Sequence, residues 1–232
     1  MPGEVSNPSL VVRRTDFIGV LLDYRGYANK RGIAYDPYDY YPISWEELYQ
    51  CGKDQGIDIR PAAQGGDIHI GDILLVRSGF VEAYHSKPGD ERAALAKRKH
   101  GLGLEDGQRW AGLSQEQKII DWLHDSYFAG VVGDAPAFEA WPSHEGMLPK
   151  LLFKSLRGRL YLYDLMLISV ALEYYLHEYI LALWGMPLGE MWDLEKLAET
   201  CREKGRWTFF LTSAPANCRG GVSSHANAQA LF

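Results

Sequence analysis

The chain lacks the cysteine pattern of a disulfide-stapled or zinc-ribbon protein. Its three cysteines, Cys51, Cys201 and Cys218, are widely separated in 232 residues, which fits neither a disulfide framework nor a zinc knuckle. A reducing compartment is therefore expected. The polar start MPGEVSNPSL has no apolar signal core, so the sequence gives no indication of secretion and favours a cytoplasmic protein.

The sequence also lacks an excess of positive charge and an uninterrupted apolar span. The net charge is −6, whereas a nucleic-acid partner requires a clustered basic surface. The most apolar stretch, Arg159 to Trp184, contains Asp164, Glu173 and His177, and a charge in the middle of a bilayer is costly. We therefore expect neither nucleic-acid nor membrane partners.

A compact histidine motif is missing as well. No two of the seven histidines stand within five residues of each other; they are His69, His85, His100, His124, His144, His177 and His225. The glycines of Gly101-Leu102-Gly103 lack the strand-to-helix context of a phosphate-binding loop. Spacing alone therefore predicts neither a metal site nor a nucleotide site.

What the sequence does contain is an alternation of strand and helix patterns. A hydrophobic share of 47% and a length of 232 residues predict one globular domain, and the alternation of strands and helices favours the α/β class. Ser44 and Glu47 form a capping box that opens a helix to about Gln55. Residues 80–112 are predicted to form a long polar loop, and Ser114 with Gln117 to cap a helix through His124. Three strands are predicted, at Phe17 to Asp23, Gly71 to Ser78 and Ala129 to Gly133.

The chain is organised around the stretch from Leu176 to Val222. Apolar residues at spacings of three and four predict a helix that Gly185-Met186-Pro187 ends. This places His177 on a helix and Glu190 on the loop that follows. A second helix, Leu194 to Lys204, is predicted with Asp193 as its cap, and a mostly buried strand is predicted to follow at Trp207 to Thr212.

Four side chains are candidates for a site. A lone helical histidine is more often structural than functional, but Glu173 lies four residues before His177 and so on the same helical face, where it would orient the imidazole. Asp134 follows a strand, and it either lines a ligand site or braces the next turn. Trp184 is the second residue predicted to line a substrate pocket, and Glu190 is the carboxylate nearest to His177 beyond the helix.

Two segments, HEYILALWGMPLGEMWDLEKLAE and GRWTFFLTSAP, resemble the C-terminal half of the cyclase family, which includes kynurenine formamidases and isatin hydrolases. Three more, GVLLDYRGYA, GDILLVRSGF and GVVGDAPAFEAWP, are similar to a fungal-type branch of that family and occur in the family's order. Together they span most of the chain.

The resemblance implies a swivelling β/β/α fold and a metal-dependent amide hydrolase that acts on a C–N bond, as the arylformamidases of tryptophan catabolism do. It also implies zinc or manganese as cofactor, a small aryl substrate and a homo-oligomer. In such enzymes a His-x-Gly-Thr-His-x-Asp motif holds the metal, and a later histidine and glutamate, matching His177 and Glu190, complete the site. His177 would then pass a proton to the leaving arylamine, and Glu190 would bind the metal or accept the proton of water.

This chain has the later pair but not the earlier motif. Two ligands are fewer than the three of a usual catalytic zinc site, and no spacing singles out Asp23, Asp134 or His225 as the third. We therefore expect an N-terminally shortened family member, one cyclase-like domain over 1–232, impaired in metal binding. Candidate insertions lie at 62–70 and 146–173, and an unspliced intron or an inserted dimerisation helix would each produce the second.

Two other functions stay open. One is a metal-free, non-hydrolytic cyclase of secondary metabolism, with no cofactor, in which His177 performs general acid–base chemistry. The other is a catalytically inactive binding or oligomerisation partner of a complete homologue.

Overall fold

The computed structural model describes residues 18–99, 107–142, 175–214, 216, 219–220 and 223–232. The predicted insertion at 146–173, Glu173 and Cys218 lie outside these residues. Within them, no helix has both the length and the apolar character that crossing a membrane requires.

A six-stranded sheet forms the centre of the molecule, in the order β6-β5-β3-β1-β7-β8. Its strands are β1 (Ile18–Leu22), β3 (Ile73–Val76), β5 (Gly130–Gly133), β6 (Leu188–Gly189), β7 (Thr208–Ser213) and β8 (Ala228–Leu231). The first four strands of that order run parallel, and β7 and β8 are antiparallel additions at the β1 side. A separate parallel pair joins β2 (Tyr41–Ile43) to β4 (Ala111–Leu113).

The sheet is covered on both faces, because successive side chains of a strand point to opposite sides. Val20, Leu22 and Leu74 pack into the larger apolar cluster on one face. Leu21 and Leu75 pack into the smaller cluster on the other. Strands buried on both faces need apolar runs rather than alternation, which explains the sequences IGVLL and ILLV.

The described helices are α1 (Tyr24–Arg31), α2 (Trp45–Asp54), α3 (Phe80–Ser86), α4 (Gly89–Leu95), α5 (Gln117–Asp125) and α6 (Glu195–Lys204), with a π-helical turn at Glu178–Leu183 and a 3-10 turn at Ala62–Gln64. The capping box of α2 is confirmed, since Ser44 and Glu47 bond reciprocally. Gly205 ends α6 at a φ of 59°, where glycine carries no steric penalty.

Several expectations about local structure were wrong. The predicted loop at 80–112 contains α3 and α4. The predicted cap of α5 is not made: Glu116 holds the cap position, and the buried Ser114 hydroxyl has no hydrogen-bond partner among the described residues. Strand β7 is buried on alternate residues only, at Phe209 and Leu211, because its other face is partly open.

The parallel strands bring four polar residues to one edge of the sheet, the carboxyl edge. Asp23 directly follows β1, Arg77 follows β3, Asp134 follows β5 and Glu190 follows β6. In open α/β sheets this is the edge at which ligands are bound. The described fold therefore concentrates ionisable groups where a site is expected.

Candidate active site

One imidazole lies between two carboxylates at the β6 end of the carboxyl edge. The Nδ1 atom of His177 is 2.7 Å from Oε2 of Glu139, and its Nε2 atom is 2.8 Å from Oε1 of Glu190. These three residues are called the triad below. His177 and Glu190, which were singled out in the sequence, are thus in direct contact, whereas Glu139 was not foreseen.

The two carboxylates differ in exposure. The side chain of Glu139 is 1% exposed, and that of Glu190 is 31% exposed, as is that of His177. A buried carboxylate requires an ionic or hydrogen-bonding partner, and His177 supplies it. The triad is therefore closed at Glu139 and open to solvent at Glu190.

Irregular backbone on both sides of Gly185 positions His177 and Glu190. His177 directly precedes the π-helical turn, in which the amide of Trp184 bonds the carbonyl of Tyr179, five residues earlier. Glu190 lies just beyond β6 and is followed by Met191, whose φ of 55° is unusual for a side chain with a Cβ. The amide of Met191 bonds the carbonyl of Ala135, which fixes this loop against the end of β5.

The triad stabilises a protonated imidazole. The hydrogen bond to Glu139 and then that to Glu190 raise the pKa of His177 to about 10, against an opposing effect of burial. At neutral pH both ring nitrogens therefore carry protons and donate them to the carboxylates. Both nitrogens therefore have a carboxylate partner among the described residues, and the orienting role predicted for Glu173, which lies outside them, stays a prediction.

Three stacked aromatic rings form a ladder, two members of which lie close in sequence to residues of the triad. Trp110 stacks on Trp141 with ring centroids 5.7 Å apart, and Trp141 stacks on Tyr175 at 5.7 Å. Trp141 is two residues from Glu139, and Tyr175 is two residues from His177. Tyr175 is 43% exposed, so the outer end of the ladder is open to solvent.

Asp134 braces a turn and also lines a small cavity. Its carboxylate accepts hydrogen bonds from the hydroxyl and amide of Ser78 and from the amides of Gly79 and Phe80. Burial raises its pKa, while the bonds from Ser78 and Gly79 oppose that effect. The adjoining small cavity is lined by Asp134 together with Ser78 and seven apolar or small residues.

The described hydrogen bonds, ion pairs and ring contacts do not join the other residues considered in the sequence to the triad. The ring contacts of Trp184 are with His124 and Tyr179. His225 is exposed near the described C-terminal end. Asp23 belongs to a separate group of charges at the β1 end of the carboxyl edge.

This second group is called the Arg77 cluster and consists of Arg77, Asp23, Glu82 and Glu195. Arg77, 4% exposed, donates to Asp23 at 2.7 Å, to Glu195 at 2.8 and 2.6 Å, and to Glu82 at 3.1 Å. Burial lowers the pKa of Arg77, but the bonds to Glu195 and Asp23 outweigh it and raise the pKa overall. The cluster ties the ends of β1 and β3 to α3 and α6.

The described residues do not by themselves fit the implied zinc or manganese ion. They contain no group of three or more His, Cys, Asp or Glu side chains that could hold a metal, whereas a catalytic zinc takes three protein ligands. His177 and Glu190 offer two donor atoms, and those atoms share a hydrogen bond.

Sequence reasoning missed Glu139, although a signal was present. Glu139 stands in the run Ala137-Phe138-Glu139-Ala140-Trp141, and all but Trp141 are buried. A carboxylate inside an apolar run must find a partner or be strongly destabilising. That cost marks Glu139 as a residue with a dedicated partner.

Comparison with known proteins supports the cyclase family. No family model matches the chain, and no curated protein matches it. One matching solved structure is described as the crystal structure of a novel cyclase, with a TM-score of 0.60 and 25% sequence identity. The match covers 93% of this chain and 52% of that one, so the chain spans about half the length of that protein.

The fold is accordingly a mixed α/β, cyclase-like fold, as expected from the sequence. The match does not discriminate among branches of the family. Kynurenine formamidase-like activity, the fungal-type branch and metal dependence therefore stay predictions.

Proposed function

We propose that the chain is a cyclase-family enzyme that hydrolyses the C–N bond of a small aryl amide by acid–base chemistry. The observation that carries this proposal is the triad, in which an acid, His177, and a base, Glu190, lie 2.8 Å apart at the carboxyl edge. Amide hydrolysis needs both, because the attacking water must lose a proton and the leaving amine must gain one.

The proton transfers balance within the triad. Glu190, the solvent-exposed carboxylate, accepts a proton from water as the water oxygen bonds to the amide carbonyl carbon. His177 donates its Nε2 proton to the amine nitrogen as the C–N bond breaks. Its Nδ1 proton stays on the imidazole, hydrogen-bonded to Glu139. Glu190 then returns its proton to Nε2 across their hydrogen bond. One water is consumed, and a carboxylic acid and an amine are released.

An aryl substrate is supported by the aromatic ladder. Tyr175 ends the ladder next to His177 with its ring partly exposed. A further aromatic ring stacked on such a face gains about 0.5–1.5 kcal/mol beyond the burial of its area. An aryl formamide would then lie with its ring on Tyr175 and its amide towards His177 and Glu190.

The test is turnover of a simple aryl formamide, formanilide, followed by release of aniline. We expect His177→Asn and Glu190→Gln each to lower kcat by a factor of about 10²–10⁴, the usual contribution of general acid–base catalysis. His69→Asn and Glu199→Gln are matched controls, since both wild-type side chains are exposed and outside the triad. Unchanged kcat in His177→Asn, or no aniline from wild type, would contradict the proposal.

Metal dependence is tested on the same preparation. Elemental analysis of the purified protein, combined with assays in a chelator, separates the two chemistries. Activity that survives the chelator supports the acid–base proposal. Stoichiometric zinc or manganese, together with loss of activity in the chelator, would replace it with a metal-dependent amidase.

A second candidate is an intramolecular cyclisation or ring opening. It is supported by the matching structure, which is described as a novel cyclase, and by the triad, which can move protons between two groups of one substrate without water as a reactant. Reaction in ¹⁸O-labelled water discriminates the two. Hydrolysis incorporates the label into the acid product, whereas a cyclisation leaves the product unlabelled.

A further inference from the structure

We infer that Glu139 is the positioning residue of this site and that it orients the ring of His177 so that Nε2 faces Glu190. The orientation follows from the geometry of the described residues. Its effect on turnover rests on the function proposed above. Glu139 touches neither solvent nor the open end of the triad, so it acts through His177.

The backbone of Glu139 is held in place on both sides. The amide of Leu113 in β4 bonds the carbonyl of Phe138 at 3.0 Å, and the amide of Ala140 bonds the carbonyl of Leu113 at 2.9 Å. Gly112 permits this close approach, because a Cβ there would lie 2.4 Å from the carbonyl carbon of Glu139. The Glu139 carboxylate therefore starts from a fixed backbone position.

The two ends of the triad are unequal. Glu190 is partly exposed, so water can replace His177 as its hydrogen-bond donor, whereas Glu139 is 1% exposed. If the imidazole flipped about its Cβ–Cγ bond, carbon atoms would replace nitrogens opposite the carboxylates, and a buried acceptor would lose its donor. Leaving a buried charged group unpaired is among the costliest local changes in a protein. The buried end therefore sets the orientation of the ring.

This orientation decides which proton is free to move. The Nδ1 proton is held by Glu139 inside the protein, so the Nε2 proton is the one presented towards Glu190 and solvent. In histidines generally, the hydrogen bond made by one ring nitrogen sets which proton the opposite nitrogen carries. Without Glu139, both nitrogens would compete for the same role.

The experiment compares Glu139→Gln and Glu139→Asp with wild type by NMR of protein labelled with ¹⁵N in histidine. His177→Asn identifies the His177 signals. We expect a hydrogen-bonded Nδ1 proton protected from solvent exchange in wild type. In Glu139→Gln that signal shifts and exchanges faster, while in Glu139→Asp, which keeps the charge on a shorter side chain, the change is smaller.

Kinetics provide the second readout. We expect Glu139→Gln to lower kcat for formanilide about 10–100-fold, the usual effect of removing a residue that orients a functional histidine, and to change KM by less than about threefold. Glu47→Gln is the control, because Glu47 is a partly buried carboxylate that accepts bonds from Tyr24, Tyr41 and Ser44 far from His177 in sequence.

Two results would overturn the inference. One is an unchanged Nδ1 signal in Glu139→Gln. The other is a loss of kcat in Glu47→Gln as large as that in Glu139→Gln, which would indicate a general structural effect. If wild type releases no aniline, the proposed function fails, and the NMR comparison still decides whether Glu139 orients His177.

Discussion

The Arg77 cluster and the triad are built from the same kinds of charged group and differ in how far solvent reaches their cation. Each places one cationic side chain among carboxylates at the carboxyl edge of the sheet. Arg77 is 4% exposed and cannot lose its proton within the stable range of a protein. His177 is 31% exposed and has a pKa of about 10. The first arrangement can only hold elements together, whereas the second can exchange a proton with a ligand.

The largest change in the free energy of unfolding should come from removing Arg77, the cation at the centre of the Arg77 cluster. Arg77→Met leaves Asp23, which is 2% exposed, with only the more distant Arg202, 3.7 Å away, as a counter-charge, and breaking a buried ion pair on one side costs about 3–5 kcal/mol. We expect a loss of this size in the free energy of unfolding by urea. Lys196→Met, which removes an exposed pair with Glu199, should change it by less than about 0.5 kcal/mol. Equal effects would mean that the Arg77 cluster is not closed.

Asp134 lies between the two groups, and its substitution should separate bracing from binding. Asp134→Asn removes the charge that accepts bonds from Ser78, Gly79 and Phe80. We expect a loss of about 2 kcal/mol in unfolding free energy and little change in KM for formanilide. A large rise in KM with unchanged stability would instead make Asp134 a substrate-lining residue.

Of the triad and the Arg77 cluster, the triad is the one that should make stability depend on alkaline pH. The pKa of His177 is raised from 6.5 to about 10 on folding, so its contribution is fully present below about pH 6.5 and is lost as pH rises towards 10. Because the side chain is partly exposed and screened, we expect a loss of about 2 kcal/mol over that range. The measurement is urea unfolding at several pH values, with His177→Asn subtracted. A difference that grows with pH would contradict the assignment.

The smallest effect should come from the exposed member of the closed cluster. Glu82 is 37% exposed, shares Arg77 with two other carboxylates and also accepts a hydrogen bond from Arg25 at 3.0 Å. Glu82→Gln should lower the unfolding free energy by about 0.5–1 kcal/mol, as for a pair at the surface. Urea unfolding of this variant and of Arg77→Met, side by side, measures the loss. If Glu82→Gln lowered the free energy of unfolding as much as Arg77→Met does, the buried pair of Arg77 with Asp23 would not be the main stabilising contact of the cluster.

Local signals predicted much of the sheet and the helix caps. Strands β1, β3 and β5 are apolar runs bounded by turn residues, and the capping box of α2 is readable from Ser44 and Glu47 alone. Helix α1 was missed because its cap, Asp23, was interpreted as the end of a strand; its side chain accepts from the amide of Gly26. Strand β6 has two residues, too few to produce a periodic pattern.

The candidate site was predictable only in part, because its members come from distant segments. Glu139 and His177 are 38 residues apart, and His177 and Glu190 are 13 apart. The resemblance to the cyclase family singled out His177 and Glu190. The position of Glu139 beside His177 depends instead on the packing of the loop after β5 against β4. Periodicity within a segment carries no information about that packing.

The π-helical turn gives the loop after His177 a specific length requirement. A π turn is an α-helix with one residue inserted, and each residue of an α-helix advances about 100° around the axis. The inserted residue lies between His177 and Glu190 in the chain. Losing a single codon from residues 178–183 would therefore swing everything downstream by more than a quarter turn, and acid and base would be separated by a deletion that removed neither.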